Sequence, residues 1–133
     1  MNCPHLEIRI YYEDTDGGGI VYYGNYFRYF ERARTEFLRH YDIEVADYAS
    51  KETLFVVSEA HIKYHSSARY NDILVIETEL TKVTGVRLYF SHQVWEKSTN
   101  RLIVSSSTEL ACVNSAGKPQ RLSAEIVNKL KSH

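Results

Sequence analysis

An acidic, glycine-rich stretch near the N-terminus has the residue types of a reaction centre. It runs Glu13-Asp14-Thr15-Asp16-Gly17-Gly18-Gly19, between a strand-like segment and a long amphipathic segment. Glycines let backbone approach a ligand closely, and the first turn of a following helix offers unpaired N–H groups at its positive dipole end. The pattern predicts that Asp16 supplies a reactive oxygen while the helix start polarises a carbonyl.

The residues alone leave a second role open for Asp16, that of a turn or helix-cap carboxylate. For Asp14 a turn carboxylate that accepts backbone N–H bonds is the favoured interpretation. Glu31 lies among alternating charges, a pattern typical of a solvated helix face, and its function stays open. The glycines are followed by no Gly-Lys-Ser/Thr, so a phosphate-binding loop is not predicted.

Metal and nucleophile chemistry have little support in the other candidate residues. His61 and His65 fall in a strand-like run, where four residues span roughly 13 Å, so one metal cannot bind both. The acidic stretch lacks the later oxygen donors of an EF-hand. Cys3 and Cys112 form no CxxC pair, and both are predicted to be ordinary thiols, Cys112 within an apolar run. We therefore expect no metal.

Length and charge suit one compact domain over residues 1–133. The chain has 44% hydrophobic residues and a net charge of -1, without a broad basic face, which argues against nucleic-acid binding. Neither a signal peptide nor a run of roughly 18 apolar residues is present, so we expect a cytoplasmic protein without membrane insertion.

Hydrophobic periodicity predicts the elements that must position the acidic stretch. Apolar residues alternate over residues 6–12, which indicates a strand, and from Tyr22 to Tyr41 they follow a helical stripe. Residues 45–51 are uncertain, and Ser123 is a candidate cap for a last helix over residues 124–131. Four further strands are predicted at residues 54–65, 73–83, 86–96 and 102–113.

This order predicts an α+β fold with an antiparallel five-stranded sheet wrapped around one long central helix. Such a sheet has two exposed edges, and strands of this length invite edge pairing. We therefore expect a dimer that joins two sheets into one.

Several motifs resemble one family closely. They are Tyr11-Tyr12-Glu13-Asp14-Thr15-Asp16, Gly18-Gly19-Ile20-Val21-Tyr22, Asn25-Tyr26, Phe30-Glu31-Arg32-Ala33-Arg34-Thr35-Glu36 and Ala68-Arg69-Tyr70-Asn71-Asp72. The sequence is similar to the hotdog-fold acyl-CoA thioesterases, specifically the YbgC-type branch of the 4-hydroxybenzoyl-CoA thioesterase family. The resemblance covers most of the chain and is most specific between Arg9 and Arg39.

The resemblance implies hydrolysis of a short-chain or aromatic acyl-CoA without a cofactor, in a homodimer or homotetramer with active sites at subunit interfaces. It implies Asp16 as nucleophile or general base and the backbone N–H of Tyr23 as the donor to the carbonyl oxygen. Glu13 and Asp14 are then expected to support the structure of the loop rather than to react. Gly18, Gly19 and Asn25 are the expected substrate-binding residues, and Lys82 and Arg87 are candidates for the CoA phosphates.

The chain departs from the family pattern at Tyr23, where many members carry His. A phenol is a poor base at neutral pH, so we expect Asp16 to suffice without that His. Two rival functions stay open. One is a hotdog hydratase or dehydratase, which would need an acid/base pair that this loop lacks, and the other is a non-catalytic acyl-CoA or acyl-carrier-protein binding protein of the cell envelope. Acyl chain length and the carrier of the acyl group, CoA or protein, are not determined.

Overall fold

The computed structural model describes residues 5–131, so Cys3 lies outside the described residues. Five strands form one antiparallel sheet in the order β1-β3-β4-β5-β2. The strands are β1 Leu6–Arg9, β2 Leu54–Tyr64, β3 Ile73–Val83, β4 Arg87–Glu96 and β5 Arg101–Val113. The helices are α1 Asn25–His40, α2 Val45–Ala49 and α3 Ala124–Lys131. The predicted α+β architecture is confirmed.

The sheet buries one face against α1. Along β4 the side chains alternate strictly, so that Leu88, Phe90, His92 and Val94 are buried on the inner face. The helix buries a stripe of aromatic residues and one alanine against this face, formed by Tyr26, Tyr29, Phe30, Ala33 and Phe37. Arg34 is buried with them.

The two sheet edges differ in length. β1 pairs with β3 over four residues, from Leu6 opposite Ile76 to Arg9 opposite Ile73. β2 pairs with β5 along its whole length, and its other edge pairs with no strand among residues 5–131. An unpaired row of N–H and C=O groups along an eleven-residue strand is a ready template for another strand.

Two element boundaries were predicted wrongly, both beside the acidic stretch. The first strand ends at Arg9 rather than at residue 12, because the Tyr11 N–H donates to Asp14 Oδ2 at 2.8 Å and turns the chain into a 3-10 helix at Tyr12–Asp14. Tyr12 is therefore 70% exposed. The long helix begins at Asn25 rather than at Tyr22, which is 49% exposed.

The C-terminal helix closes the end of the core that lies away from the acidic stretch. As predicted, Ser123 caps α3, because its Oγ accepts the Ile126 N–H at 3.2 Å. Ile126 and Leu130 are buried, and the Tyr48 hydroxyl of α2 donates to Glu125. Cys112 is buried in the same region, and burial raises the pKa of its thiol. Of the helices within residues 5–131, none is long and apolar enough to cross a lipid bilayer.

Candidate active site

The segment from Asp16 to Ile20 forms a closed turn between two short stretches of extended chain. The Asp16 N–H donates to the Ile20 carbonyl at 2.9 Å, and the Gly19 N–H donates back to the Asp16 carbonyl at 3.3 Å. Thr15 and Val21 form an antiparallel bridge at the base of the turn. Gly19 has φ of +79°, a conformation that L side chains rarely adopt, so the turn requires a glycine there.

The carboxylate of Asp16 is exposed at the tip of this turn. Its Oδ1 accepts the Gly18 N–H at 2.8 Å, and no other hydrogen bond to the carboxylate is present among the described residues. Asp16 thus has the turn contact that the sequence left open as an alternative, while its second oxygen faces solvent unpaired. A Cβ added at Gly18 would lie 3.3 Å from Asp16 Oδ1, so the glycine allows the carboxylate to lie close to the backbone.

Asp14 and Asn25 stabilise the turn through hydrogen bonds. The Asp14 carbonyl accepts the Asn25 side-chain amide at 2.7 Å and the Tyr22 N–H at 3.0 Å. Asp14 acts through its carboxylate as a turn residue, as predicted. Asn25, predicted to contact substrate, donates its amide to the protein itself.

The start of α1 lies next to the turn and has free donors. Gly24 adopts φ -65° and ψ -21°, so the helical conformation begins before Asn25, and no side chain caps this end. The N–H groups of Asn25, Tyr26 and Phe27 donate to the carbonyls of Tyr22, Tyr23 and Gly24. In the described part of the chain the N–H groups of Tyr23 and Gly24 donate to no acceptor. Two donors at the positive end of a helix can bind an oxyanion.

Aromatic side chains surround this helix start. Tyr23 is 61% exposed, and its ring packs on Tyr22 at 4.7 Å and edge-on to Tyr64 at 6.3 Å between centroids. The Tyr64 hydroxyl donates to the Tyr23 carbonyl at 3.4 Å. A hydrogen bond with Tyr23 raises the pKa of Tyr22, and burial raises the pKa of Tyr64, so these phenols stay neutral at physiological pH. The result is an uncharged aromatic rim.

A loop distant in sequence holds the turn from the outside. Ile20 bridges Arg69, the Val21 N–H donates to the Ala68 carbonyl at 2.9 Å, and the Tyr70 N–H donates to the Gly19 carbonyl at 3.2 Å. The Arg69 side chain has neither an ion pair nor a hydrogen bond within residues 5–131. No local signal in the sequence assigns Arg69 or Tyr64 to the site, because only the long-range pairing brings them there.

Lys82 and Arg87 lie elsewhere. They flank the β3–β4 turn, at the end of β3 opposite to Ile73, whereas the Arg69 loop precedes Ile73. Ten residue steps along a strand correspond to roughly 33 Å. Lys82 lies over the Tyr89 ring, with 5.4 Å from Nζ to the centroid, and Arg87 forms an ion pair with Glu109 at 3.3 Å. Within one copy of the chain they are not brought together with Asp16.

The outer face of the sheet carries a separate depression of about 350 Å³. Strand alternation places the side chains of Ser91, Gln93, Ser105 and Ser107 on this face, with His61 and Lys63 beside them. His61 contacts Glu59 at 2.9 Å and His65 contacts Ser105 at 2.9 Å. Within residues 5–131 no group of three or more His, Cys, Asp or Glu side chains could hold a metal ion. None of the predicted site residues lines the depression.

Comparison with known proteins identifies the family of this chain. The family model described as "Thioesterase superfamily" matches residues 18–103. The acyl-CoA thioester hydrolase YbgC of Escherichia coli O6:H1 is 37% identical over 125 residues, which are 93% of this chain and 92% of the relative. The acyl-CoA thioesterase YbgC of Haemophilus influenzae is 39% identical, over 80% of this chain and 78% of the relative.

Among solved structures, a DHNA-CoA thioesterase from Staphylococcus aureus superposes with a TM-score of 0.90. It is 26% identical, and the superposition covers 99% of this chain and 93% of that one. The sheet order, the α1 packing and the sequence matches agree with one another. The chain belongs to the thioesterase superfamily, and within it to the hotdog-fold enzymes of the YbgC type.

Proposed function

We propose that this enzyme hydrolyses the thioester of a short-chain or aromatic acyl-CoA to the free acid and CoA. Relatives that align along nearly the whole chain are acyl-CoA thioester hydrolases. The observation that carries the proposal is the Tyr23 N–H, which donates to no acceptor among the described residues and follows the turn that presents Asp16. A donor and an exposed carboxylate on one short segment are the two groups that thioester hydrolysis requires.

The reaction would proceed through a tetrahedral intermediate. The carbonyl oxygen accepts a hydrogen bond from the Tyr23 N–H, and a water oxygen bonds to the carbonyl carbon while Asp16 takes the water proton. The C–S bond then breaks, and the CoA thiolate leaves and takes up a proton. In the alternative route an Asp16 oxygen bonds to the carbonyl carbon, CoA leaves, and water hydrolyses the resulting anhydride. In both routes the helix-end N–H stabilises the developing negative charge.

Arg69 is a candidate for binding the CoA phosphates. Its backbone pairs with Ile20, and its guanidinium is exposed without a partner among residues 5–131. An unpaired guanidinium beside the site suits phosphate recognition. Lys82 and Arg87 would contribute only if a second copy of the chain brought its β3–β4 turn to this site. The Arg69→Met variant should raise KM for acyl-CoA more than it lowers kcat.

We propose a dimer that pairs the free edge of β2 with its counterpart, so that the sites lie at a subunit interface. Two observations support this choice of edge. The β2 edge is long, and Val56 and Val57 beside it are exposed, which favours coverage by another chain. Tyr64 at the end of β2 contacts Tyr23, so a paired β2 would lie close to the helix start. Sedimentation should give a dimer or tetramer for wild type and a monomer for a β2 edge variant such as Ala60→Pro.

The decisive experiment follows thiol release over a panel of short aliphatic, longer aliphatic and aromatic acyl-CoAs. Hydrolysis of at least one of them supports the proposal. Tight binding without thiol release from any substrate would instead favour the acyl-CoA binding protein, and hydration of an enoyl-CoA would favour the hydratase. A single turnover in ¹⁸O-water then separates the two routes, because label in the Asp16 carboxylate indicates covalent attack.

A further inference from the structure

A polar layer interrupts the apolar core beneath α1. His92 on β4 and Ser106 on β5 are direct cross-strand partners on the inner face, and both are buried. One apolar cluster, which contains Phe30 and Ala33, lies on the side of the Asp16 turn, and a second one contains Phe37 and Leu38. Arg34 belongs to neither cluster and occupies the position on α1 between them, close enough to His92 to lower the pKa of that imidazole.

Several polar atoms of this layer lack hydrogen-bond partners. The His92 Nε2 and the Ser106 Oγ are buried without a hydrogen bond. Arg34 is only 9% exposed, and its guanidinium forms no hydrogen bond or ion pair within the described residues. The neighbouring acid, Glu31, accepts the Thr35 hydroxyl at 2.7 Å instead. Burial lowers the pKa of Arg34, and the nearby Glu31 carboxylate raises it without forming an ion pair within residues 5–131. The guanidinium N–H donors therefore stay available to an acceptor on a ligand.

The layer shares one flank of α1 with the helix start. Tyr23, Phe27 and Arg34 are four and seven residues apart, the spacing that places side chains on one helix face. The Phe27 ring contacts Phe30, which stacks on His92, and Tyr23 contacts Tyr64 of β2. This flank therefore lies over His92 of β4, and the helix start lies beside Tyr64 of β2.

The facing part of β2 is open. Cross-strand pairing with Thr108 and Leu110 places Ala60 and Val57 on the inner face of the sheet, yet Ala60 is exposed and Val57 is 52% exposed. The helix leaves this strip uncovered. Arg34 lies nine residues beyond Asn25, the first residue of α1, about 14 Å along the helix axis, and helical side chains point back toward the N-terminus. An acyl group held at the Tyr23 N–H could extend along the strip to the Arg34 guanidinium.

We propose that Arg34, assisted by Ser106, binds a carboxylate at the far end of the acyl group, so that the preferred substrates are CoA thioesters of dicarboxylic acids. The inference rests on the proposed thioesterase function and names its substrate class. A guanidinium is permanently charged and forms paired hydrogen bonds with a carboxylate, and the Ser106 hydroxyl can donate one more. Burial keeps the His92 ring neutral, so it does not compete with Arg34 for the carboxylate.

The test compares adipyl-CoA with hexanoyl-CoA, which have the same chain length and differ only in the terminal carboxylate. Wild type should hydrolyse adipyl-CoA with a kcat/KM at least ~10-fold higher, because a buried site for a polar group discriminates strongly against an analogue that lacks it. Equal or lower kcat/KM for adipyl-CoA would overturn the inference. That result would follow if an acid of a second copy neutralised Arg34.

Two variants test whether the preference for adipyl-CoA depends on Arg34. Arg34→Met should lower the adipyl-to-hexanoyl ratio of kcat/KM by ~10-fold or more, whereas Arg32→Met, an exposed cation two residues away, should keep the wild-type ratio. An unchanged ratio in Arg34→Met would contradict the assignment. If Arg34→Met does not fold, product inhibition of the wild-type enzyme tests the inference instead. Adipate should then inhibit more strongly than hexanoate, and equal inhibition would overturn the inference.

The two proposals fail in different ways. If no acyl-CoA in the panel releases thiol, the proposed function fails. If hexanoyl-CoA is hydrolysed and adipyl-CoA is not preferred, the thioesterase function stands and the carboxylate site at Arg34 fails.

Discussion

The imidazole of His92 stacks face to face on the ring of Phe30, with the centroids 4.9 Å apart and the planes within 7°. Through this contact the centre of the sheet packs against the centre of α1. It also removes the imidazole from water, and Thr78 provides its only hydrogen bond among the described residues, at 3.1 Å from Nδ1. Burial, with a smaller contribution from the Arg34 charge, lowers the pKa of His92 to about 3.

This pKa predicts that the fold loses stability on mild acidification. The unfolded chain protonates His92 below its ordinary pKa of 6.5, whereas the folded chain does so only near 3. Between these values the unfolded state binds more protons, so the free energy of unfolding falls as the pH falls. From pH 8 to pH 5 the loss from this residue should be about 2 kcal/mol. Urea unfolding at several pH values measures it.

Two variants isolate the contribution of His92. His92→Gln cannot titrate, so its free energy of unfolding should depend less on pH than that of wild type over this range. His61→Gln, which replaces an exposed histidine, is the matched control for the substitution itself. Equal slopes for wild type and His92→Gln would contradict the predicted pKa.

Asp16→Asn tests the proposed role of the carboxylate without altering the turn. The Asn side-chain oxygen can still accept the Gly18 N–H, so the melting temperature should stay close to that of wild type. The amide can neither attack the carbonyl nor take a proton, and we expect kcat to fall by ~100-fold or more. Glu13→Gln, an exposed neighbour, is the control. Comparable turnover by Asp16→Asn would exclude Asp16 as the reacting group.

The glycines of the turn should respond differently to alanine. At Gly19 the φ of +79° disfavours a Cβ, so Gly19→Ala should lower the free energy of unfolding by ~1–2 kcal/mol and displace Asp16. At Gly17 a Cβ would meet nothing within 4 Å and φ is not positive, so Gly17→Ala should change stability by less than ~0.5 kcal/mol. Chemical denaturation measures both. The prediction fails if Gly17→Ala is the more destabilised variant.

Elements with complete local signals were predicted well from the sequence. The strand at residues 73–83 and the helix at 124–131 have the predicted bounds, because alternation in one case and the Ser123 cap in the other mark their ends. The boundaries at Tyr12 and Tyr22 were wrong. There the periodicity continues in the sequence, but hydrogen bonds to the side chain and carbonyl of Asp14 redirect the backbone.

The buried polar layer could not be predicted from the sequence. Arg34 lies among alternating charges, a pattern typical of a solvated helix face. It is buried only because of the position of α1 on the sheet. His92 and Ser106 become neighbours through strand register, which depends on pairing between distant residues. Lys82 and Arg87 illustrate the opposite case: they flank a predicted turn as expected, but the strand direction places that turn far from Asp16.

The proposed oxyanion donor is a backbone group, so its test requires a change in the backbone. Tyr23→Pro removes the N–H, which donates to no acceptor within the described residues, so the fold loses no hydrogen bond. Tyr23→Ala removes the exposed ring and keeps the N–H. If the N–H stabilises the developing oxyanion, kcat should be ~100-fold or more lower in Tyr23→Pro than in Tyr23→Ala. Melting temperatures of both variants establish that the helix start is retained. Equal kcat values in the two folded variants would show that another group is the donor. The Gly24 N–H is then the next candidate.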